Sequence, residues 1–151
     1  MKYFKFIIIF FIAIIIFYLS IYIDVTLRAK SAYYEAEKYM EFYNNPQKKV
    51  EYFESQAQKE KQKLEKLRLR GKLTEEEYKV KLELIEFNKQ RQIEESSLKY
   101  AYVWYKTAID LFSPPESKWV KLSKQKIEKV KEMWKKELEQ KGYKVEDYML
   151  E

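Results

Sequence analysis

Between Phe6 and Ile23 the run FIIIFFIAIIIFYLSIYI carries no charge. No other pattern in the chain constrains its fold as strongly. As a helix this run would be about 27 Å long, close to the hydrocarbon thickness of a bilayer. Fourteen of its positions are Ile, Phe or Leu. At about −0.4 kcal/mol each, their insertion is worth roughly −6 kcal/mol. A cleaved signal peptide is the competing explanation, but its apolar core would be only about 7–15 residues long. The nearest small-x-small site, Ala29-Lys30-Ser31, is charged and lies well past the run. Residues 1–23 therefore read as an uncleaved transmembrane anchor carried by Phe6, Ile9, Phe10, Ile14, Phe17 and Ile21, with Tyr18 and Tyr22 suited to a membrane interface.

All 24 acidic residues lie at position 24 or later, whereas residues 1–23 carry only Lys2 and Lys5. Arg28 and Lys30 follow the span closely. A short basic N-terminus ahead of a long apolar run is expected to stay in the cytoplasm. That places residues 24–151 on the periplasmic or extracellular side, with a bacterial inner membrane as the favoured setting. Only Ala13 and Ser20 are small within the span, so it lacks a small-xxx-small dimerisation motif and is suited instead to docking against a larger membrane protein.

The remainder excludes most chemistry. There is no Cys and no His, which removes disulfides, thiolate nucleophiles, Cys-ligated zinc, His-based triads and HExxH sites. The two glycines, Gly71 and Gly142, cannot form a dinucleotide fingerprint or a phosphate-binding loop. Glu75-Glu76-Glu77 and Glu94-Glu95 are clustered acids, but neighbours on a helix diverge by about 100°, so their carboxylates do not converge on one atom. No catalytic residue, metal ligand or cofactor is expected, and the chain reads as non-enzymatic. The Lys/Glu excess and missing Cys fit a heat-adapted source, and an Ile- and Lys-rich genome equally well. The missing Cys is also compatible with an oxidising compartment.

Two Gly and three Pro leave few turns, so the fold is expected to be all-α with long helices. The predicted arrangement is the N-terminal transmembrane helix followed by an antiparallel helical-hairpin domain over 24–151. Helices are expected at about 24–43, 46–70, 74–112 and 116–141. The first could continue directly from the span. Asn44-Asn45-Pro46 ends it, and Pro46 suits the first turn of the next helix. Gly71 is placed as a C-cap and Thr74 to Glu77 as a capping box. A bend is expected near Ser96-Ser97, a stop at Ser113-Pro114-Pro115, and one further turn in Tyr143 to Glu151. Apolar stripes run through Val50, Phe53, Ala57, Leu64 and Leu67, broken by Glu60, and through Val120, Ile127, Val130, Trp134 and Leu138. The third helix offers Tyr78, Leu82 and Ile85, then Tyr102, Tyr105, Ala108, Ile109 and Phe112.

A weak internal repeat aligns Ala32 with Ala101, Tyr33 with Tyr102, Met40 with Ile109, Tyr43 with Phe112 and Pro46 with Pro115. Its offset is about twice the period of tetratricopeptide repeats. The stretch AYVWYKTAIDLFSPPESKWVKLS resembles that family. Ala101, Tyr105 and Ala108 have its small-aromatic-small spacing, and Trp119, Leu122 and Ser123 stand where the next repeat's Trp, Leu and Gly would be. Pro114 comes one residue late, residues 32–57 fit loosely, and 58–98 depart from the pattern altogether. The resemblance implies close helix pairs with aromatic plugs between them and a groove that binds a partner.

Tyr occurs 14 times, more than packing readily explains. Tyr33, Tyr34, Tyr39 and Tyr43, with Tyr100, Tyr102 and Tyr105, are the candidate partner-binding residues, since Tyr is favoured at interfaces. Residues 117–142 hold nine Lys against four Glu and no Arg. That balance suits anionic lipid better than nucleic acid, where bidentate Arg is preferred. The chain therefore reads as a single-span adaptor that binds and stabilises a larger integral membrane complex. Its layout is similar to the ancillary subunits of translocons and the accessory subunits of respiratory-type complexes. Two alternatives stand beside it: a self-assembling coiled-coil membrane protein built on helices 47–70, and an anionic-lipid-binding protein acting through 117–142. No nucleic-acid partner is expected, and homo-oligomerisation is possible without being favoured.

Overall fold

The computed structural model describes residues 2–146 and Leu150, with side chains from residue 8 onward. Side-chain expectations for Lys2, Lys5 and Phe6 lie outside this range; of the turn expected in Tyr143 to Glu151, residues 143–146 are non-helical and 147–149 and 151 lie outside the described residues. Five helices follow one another, with no strand among the described residues: α1 Lys2–Asn44, α2 Pro46–Leu69, α3 Glu75–Glu94, α4 Ser97–Asp110 and α5 Lys118–Gln140. The all-α fold expected from scarce Gly and Pro is what is found.

Helix α1 does continue without a break from the apolar run into the polar part of the chain, over 43 residues. It is long and apolar enough to cross a membrane, and no side chain of its most apolar described window is buried. Ile9, Phe10, Phe17 and Ile21 are all exposed, and Ile14 is half-buried. Burial begins at Ala29, which has no accessible surface.

Local chemistry sets the other boundaries. Asn45 caps α2 by accepting from the Lys48 amide at 3.4 Å, ahead of Pro46 in the first turn. Gly71 lies at φ +65°, where only glycine is unstrained. The Lys72 amide bonds the Leu67 carbonyl (3.0 Å) and the Gly71 amide bonds the Arg68 carbonyl (2.9 Å), the two bonds of a Schellman stop. Gly142, at φ +85°, ends α5 in the same way through Tyr143 to Leu138 and Gly142 to Glu139. Thr74 and Glu77 form the reciprocal capping box, with bonds of 3.2 and 2.8 Å.

The single helix expected over 74–112 is instead two helices. Glu95 is extended (ψ 145°) and Ser96 is non-helical, so what reads as a bend is a complete break. Ser competes for backbone hydrogen bonds and favours helix starts over interiors.

The chain forms two compact units, residues 1–38 with 98–151 and residues 39–97. In the first, α1 presents Ala29, Ala32, Tyr33 and Ala36 as a buried stripe. Helix α4 contributes Leu98, Ala101, Tyr102, Tyr105 and Ala108, and α5 contributes Val120, Ser123 and Val130. The alanines let helices approach closely, and aromatic rings fill the intervening space. The aligned pairs Ala32 and Ala101, and Tyr33 and Tyr102, are all buried in this unit. Of the expected α5 stripe, Ile127, Trp134 and Leu138 are half-buried.

The second unit is an antiparallel α2–α3 hairpin with the last turns of α1. Phe53, Ala57 and Leu64 are buried along α2, Val50 is half-buried and Leu67 is largely exposed. Phe42 packs against Tyr39, Tyr52 and Phe53 with ring centroids 5.3–6.0 Å apart. Lys61 reaches across the hairpin to Glu86 at 2.7 Å. Lys61 and Lys89 together hold the Glu86 carboxyl down at about 2. The buried Lys49 ammonium donates to the Glu95 carbonyl, and so ties the start of α2 to the end of α3.

Enlarging Ala101, which has no accessible surface, should therefore be costly. Ala101→Leu is expected to destabilise the protein by about 1–3 kcal/mol in denaturant titrations of the detergent-solubilised chain. Leu69→Ala, at a 75% exposed position, should change stability by less than about 0.5 kcal/mol.

Candidate partner-binding surfaces

The expected tyrosines divide between the two units and between two environments. Tyr33 and Tyr102 are buried at 8% and 7% exposure, and Tyr105 is fully buried, so their rings serve packing in the first unit. Tyr33 lies 5.9 Å from Tyr105 and 5.5 Å from Trp119, and Tyr102 lies 5.7 Å from Trp134. Tyr34 is 53% exposed with its ring against Trp119 at 5.2 Å, so in this set only Tyr34 offers a broad surface. Tyr100 is half-buried. Tyr39 and Tyr43 belong to the second unit, Tyr39 half-buried beside Phe42 and Tyr43 43% exposed. Five of these tyrosines thus belong to the first unit and two to the second.

The first unit also holds a polar tie inside its aromatic cluster. The Tyr105 hydroxyl donates to the Glu37 carboxylate, and the Lys126 ammonium donates to the same oxygen at 2.6 Å. Lys126 also lies 5.3 Å from the centre of the Tyr33 ring. One residue from each of three helices meets at Glu37. Burial raises the cost of ionising Glu37, but the hydrogen bonds from Lys126 and Tyr105 outweigh it and hold the carboxyl below its ordinary range. Burial likewise works against the Lys126 charge, and Glu37 more than restores it, so that ammonium holds its proton more tightly than usual. Burial and the carboxylate beside it push the Tyr105 phenol well up. None of the three is poised to exchange a proton near neutrality, and their role is to fix helix positions.

A recess also lies along α4. Val103, Lys106, Thr107, Asp110 and Leu111 recur at spacings of 3, 1, 3 and 1 and line a recess of about 390 Å³ with Tyr102 and Trp134. Leu150 is buried there at 2% exposure. The Trp134 Nε1 is shielded from solvent without a hydrogen-bond acceptor among the described residues. Such a donor is costly unless something accepts from it. In the second unit a shallower recess of about 290 Å³ lies between Leu64 and Leu67 on α2 and Leu84 and Ile85 on α3. Nearby, Val80, Leu84 and Phe87 form an exposed apolar stripe, each 55–65% accessible. Neither this stripe nor the Glu37 tie is among the features expected from the sequence. Spacings of four and three residues carry the stripe, whereas nothing in the local sequence distinguishes Glu37 from the other glutamates.

Glu37 yields a sign-definite pH prediction. Its folded-state pKa is lowered, so its contribution to stability is complete above the ordinary value of 4.5 and is lost as pH falls through the lower folded value. Glu37→Gln should cost about 1–2 kcal/mol at pH 7. The gap between variant and parent should close on acidification below pH 4, read from denaturant midpoints at each pH.

Comparison with known protein families, with curated proteins and with solved structures finds no match for this chain.

Proposed function

We propose that the protein is a non-enzymatic, single-span adaptor that holds a helical domain at a membrane surface and there stabilises a larger integral membrane complex. The observation that carries this reading is the two-part character of α1. Among the described residues its most apolar window has no buried side chain, whereas Ala29, Ala32, Tyr33 and Ala36 of the same helix are buried in the core of the first unit. A helix of this kind satisfies lipid at one end and protein at the other. The recess along α4 supports a protein ligand. It is mostly apolar and rimmed by the Lys106–Asp110 ion pair (3.1 Å).

The tetratricopeptide-like resemblance of 101–123 belongs to this proposal as well. Ala101, Tyr105 and Ala108 are fully buried, as close helix pairing of that type requires, and Trp119 and Leu122 are half-buried at the start of α5. The placement of residues 24–151 outside the cytoplasm rests on the charge arrangement of the flanks. Protease added outside spheroplasts should then degrade 24–151 and spare the span; protection of the domain would reverse the topology.

Tagged protein extracted in mild detergent should co-purify with an integral membrane partner. Val103→Arg, at a 44% exposed position lining the recess, should abolish that association without unfolding the domain. A monodisperse monomer without any partner would sink the adaptor reading. Self-assembly is the second reading, and one observation favours it: the exposed Val80, Leu84 and Phe87 stripe on α3. Of the stripe expected to drive coiled coils, Phe53, Ala57 and Leu64 are buried within the hairpin, Val50 is half-buried and Leu67 is exposed. Light scattering on the purified full chain separates the two, since self-assembly gives a multiple of the 18.6 kDa chain mass.

A further inference from the structure

We propose that the α4–α5 connection is a second membrane contact, which seats the first unit on the lipid interface with Leu111, Lys30 and Lys118 in the headgroup layer. This rests on the reading of α1 as the anchor.

Because α1 is unbroken, position along it measures height above the membrane, each residue adding one helical rise. Trp119 near the start of α5 packs against Tyr33 and Tyr34, and Lys126, one helical stretch later, reaches Glu37. Helix α5 therefore climbs away from the span alongside α1. Helix α4 runs the opposite way, since Tyr102 meets Trp134 far along α5 while Tyr105 meets Tyr33 and Glu37. Residues 111–117 thus lie at the membrane-proximal end of this unit. Tyr105 is level with residues 33–37, and Leu111 comes six residues on, roughly 9 Å nearer the span and about level with residues 28–29. Ala29 is fully covered at that height, so the folded body reaches down to it. The apolar run ends at Ile23, and Leu27 beyond it is 57% exposed. A headgroup layer of about 5–8 Å then meets the base of the unit.

The chemistry of that base suits an interface. Leu111 is 70% exposed, which is unfavourable in water and favourable in lipid. The acids at this end are already paired: Asp24 with Arg28, Asp110 with Lys106 and Glu116 with Lys124. Lys30 and Lys118 lie 5.7 and 5.5 Å from the centre of the same Trp119 ring, and among the described residues neither ammonium forms an ion pair. Two cations flanking one amphipathic aromatic ring match the phosphate and glycerol levels of a bilayer. The other lysines of α5 climb away from the membrane with their helix, so the lipid contact belongs to this base and not to the Lys-rich helix as a whole.

The chain has no Cys, so single-cysteine variants of the full protein carry one fluorophore each. Leu111→Cys, Leu27→Cys and Tyr143→Cys would be labelled with an environment-sensitive dye and reconstituted into vesicles of one phospholipid containing nitroxide-labelled lipid. All three positions are exposed, so labelling should leave the fold intact, as circular dichroism would verify. The label at Leu111 should be blue-shifted and quenched by the nitroxide lipid to the extent seen at Leu27, while the label at Tyr143, past the far end of α5, should report water. Absence of lipid quenching at Leu111, with Leu27 quenched and the protein resistant to carbonate extraction, overturns this inference alone. Release of the protein by carbonate with all three labels in water overturns the anchor reading itself.

Discussion

The first unit depends on how closely α1 can approach its neighbours. Ala29, Ala32 and Ala36 leave one side of α1 almost without side-chain bulk, and each is at most 2% exposed. Only because that side is so flat can Tyr33, Tyr105 and Trp119 mesh across it. The same proximity brings Lys126 and the Tyr105 hydroxyl onto Glu37. A charged tie inside an aromatic cluster is tolerable here because its charges and hydroxyl answer one another. Close packing and polar satisfaction are thus one arrangement, with the alanine stripe as its precondition.

The second unit is held by different means. Its hairpin is fixed by local stop and start chemistry at Gly71 and Thr74, by a modest apolar seam on α2, and by cross-hairpin links from Lys49 and Lys61. No residue of α3 is fully buried, so that helix lies on the seam as a cover, and its outer side retains Val80, Leu84 and Phe87 in the open. An apolar stripe left exposed on a polar helix signals a partner or an aggregation liability.

Much of this is legible in the sequence, because helix ends are written in short-range chemistry. Asn45-Pro46, Gly71, Thr74 to Glu77 and Gly142 each act within a turn of their own position, and each functions as the residue type dictates. The break at Glu95-Ser96 reads only as a bend, since two serines in a strongly helical context signal weakly. The tyrosine surface is the least legible feature. Whether a Tyr is buried depends on what packs against it from a distant segment: Tyr33 is enclosed by α4 and α5, whereas Tyr34, its neighbour in sequence, is left exposed. A helix turns by about 100° per residue, and the sequence does not say which side a remote helix will cover. The partnership of Glu37 with Lys126, 89 positions apart, lies beyond any local pattern for the same reason.

The continuity of α1 has a consequence for azimuth. No flexible joint separates the apolar run from the alanine stripe, so the compass direction in which the first unit points around the membrane normal is set by helical phase. Each residue inserted or removed between Ile23 and Ala29 would swing the α4 recess through about 100° and shift its height by about 1.5 Å. The short spacing from the end of the run to the start of the core is therefore a bearing as much as a length. In the proposed adaptor, it would fix the side of the anchor from which a partner reaches the groove.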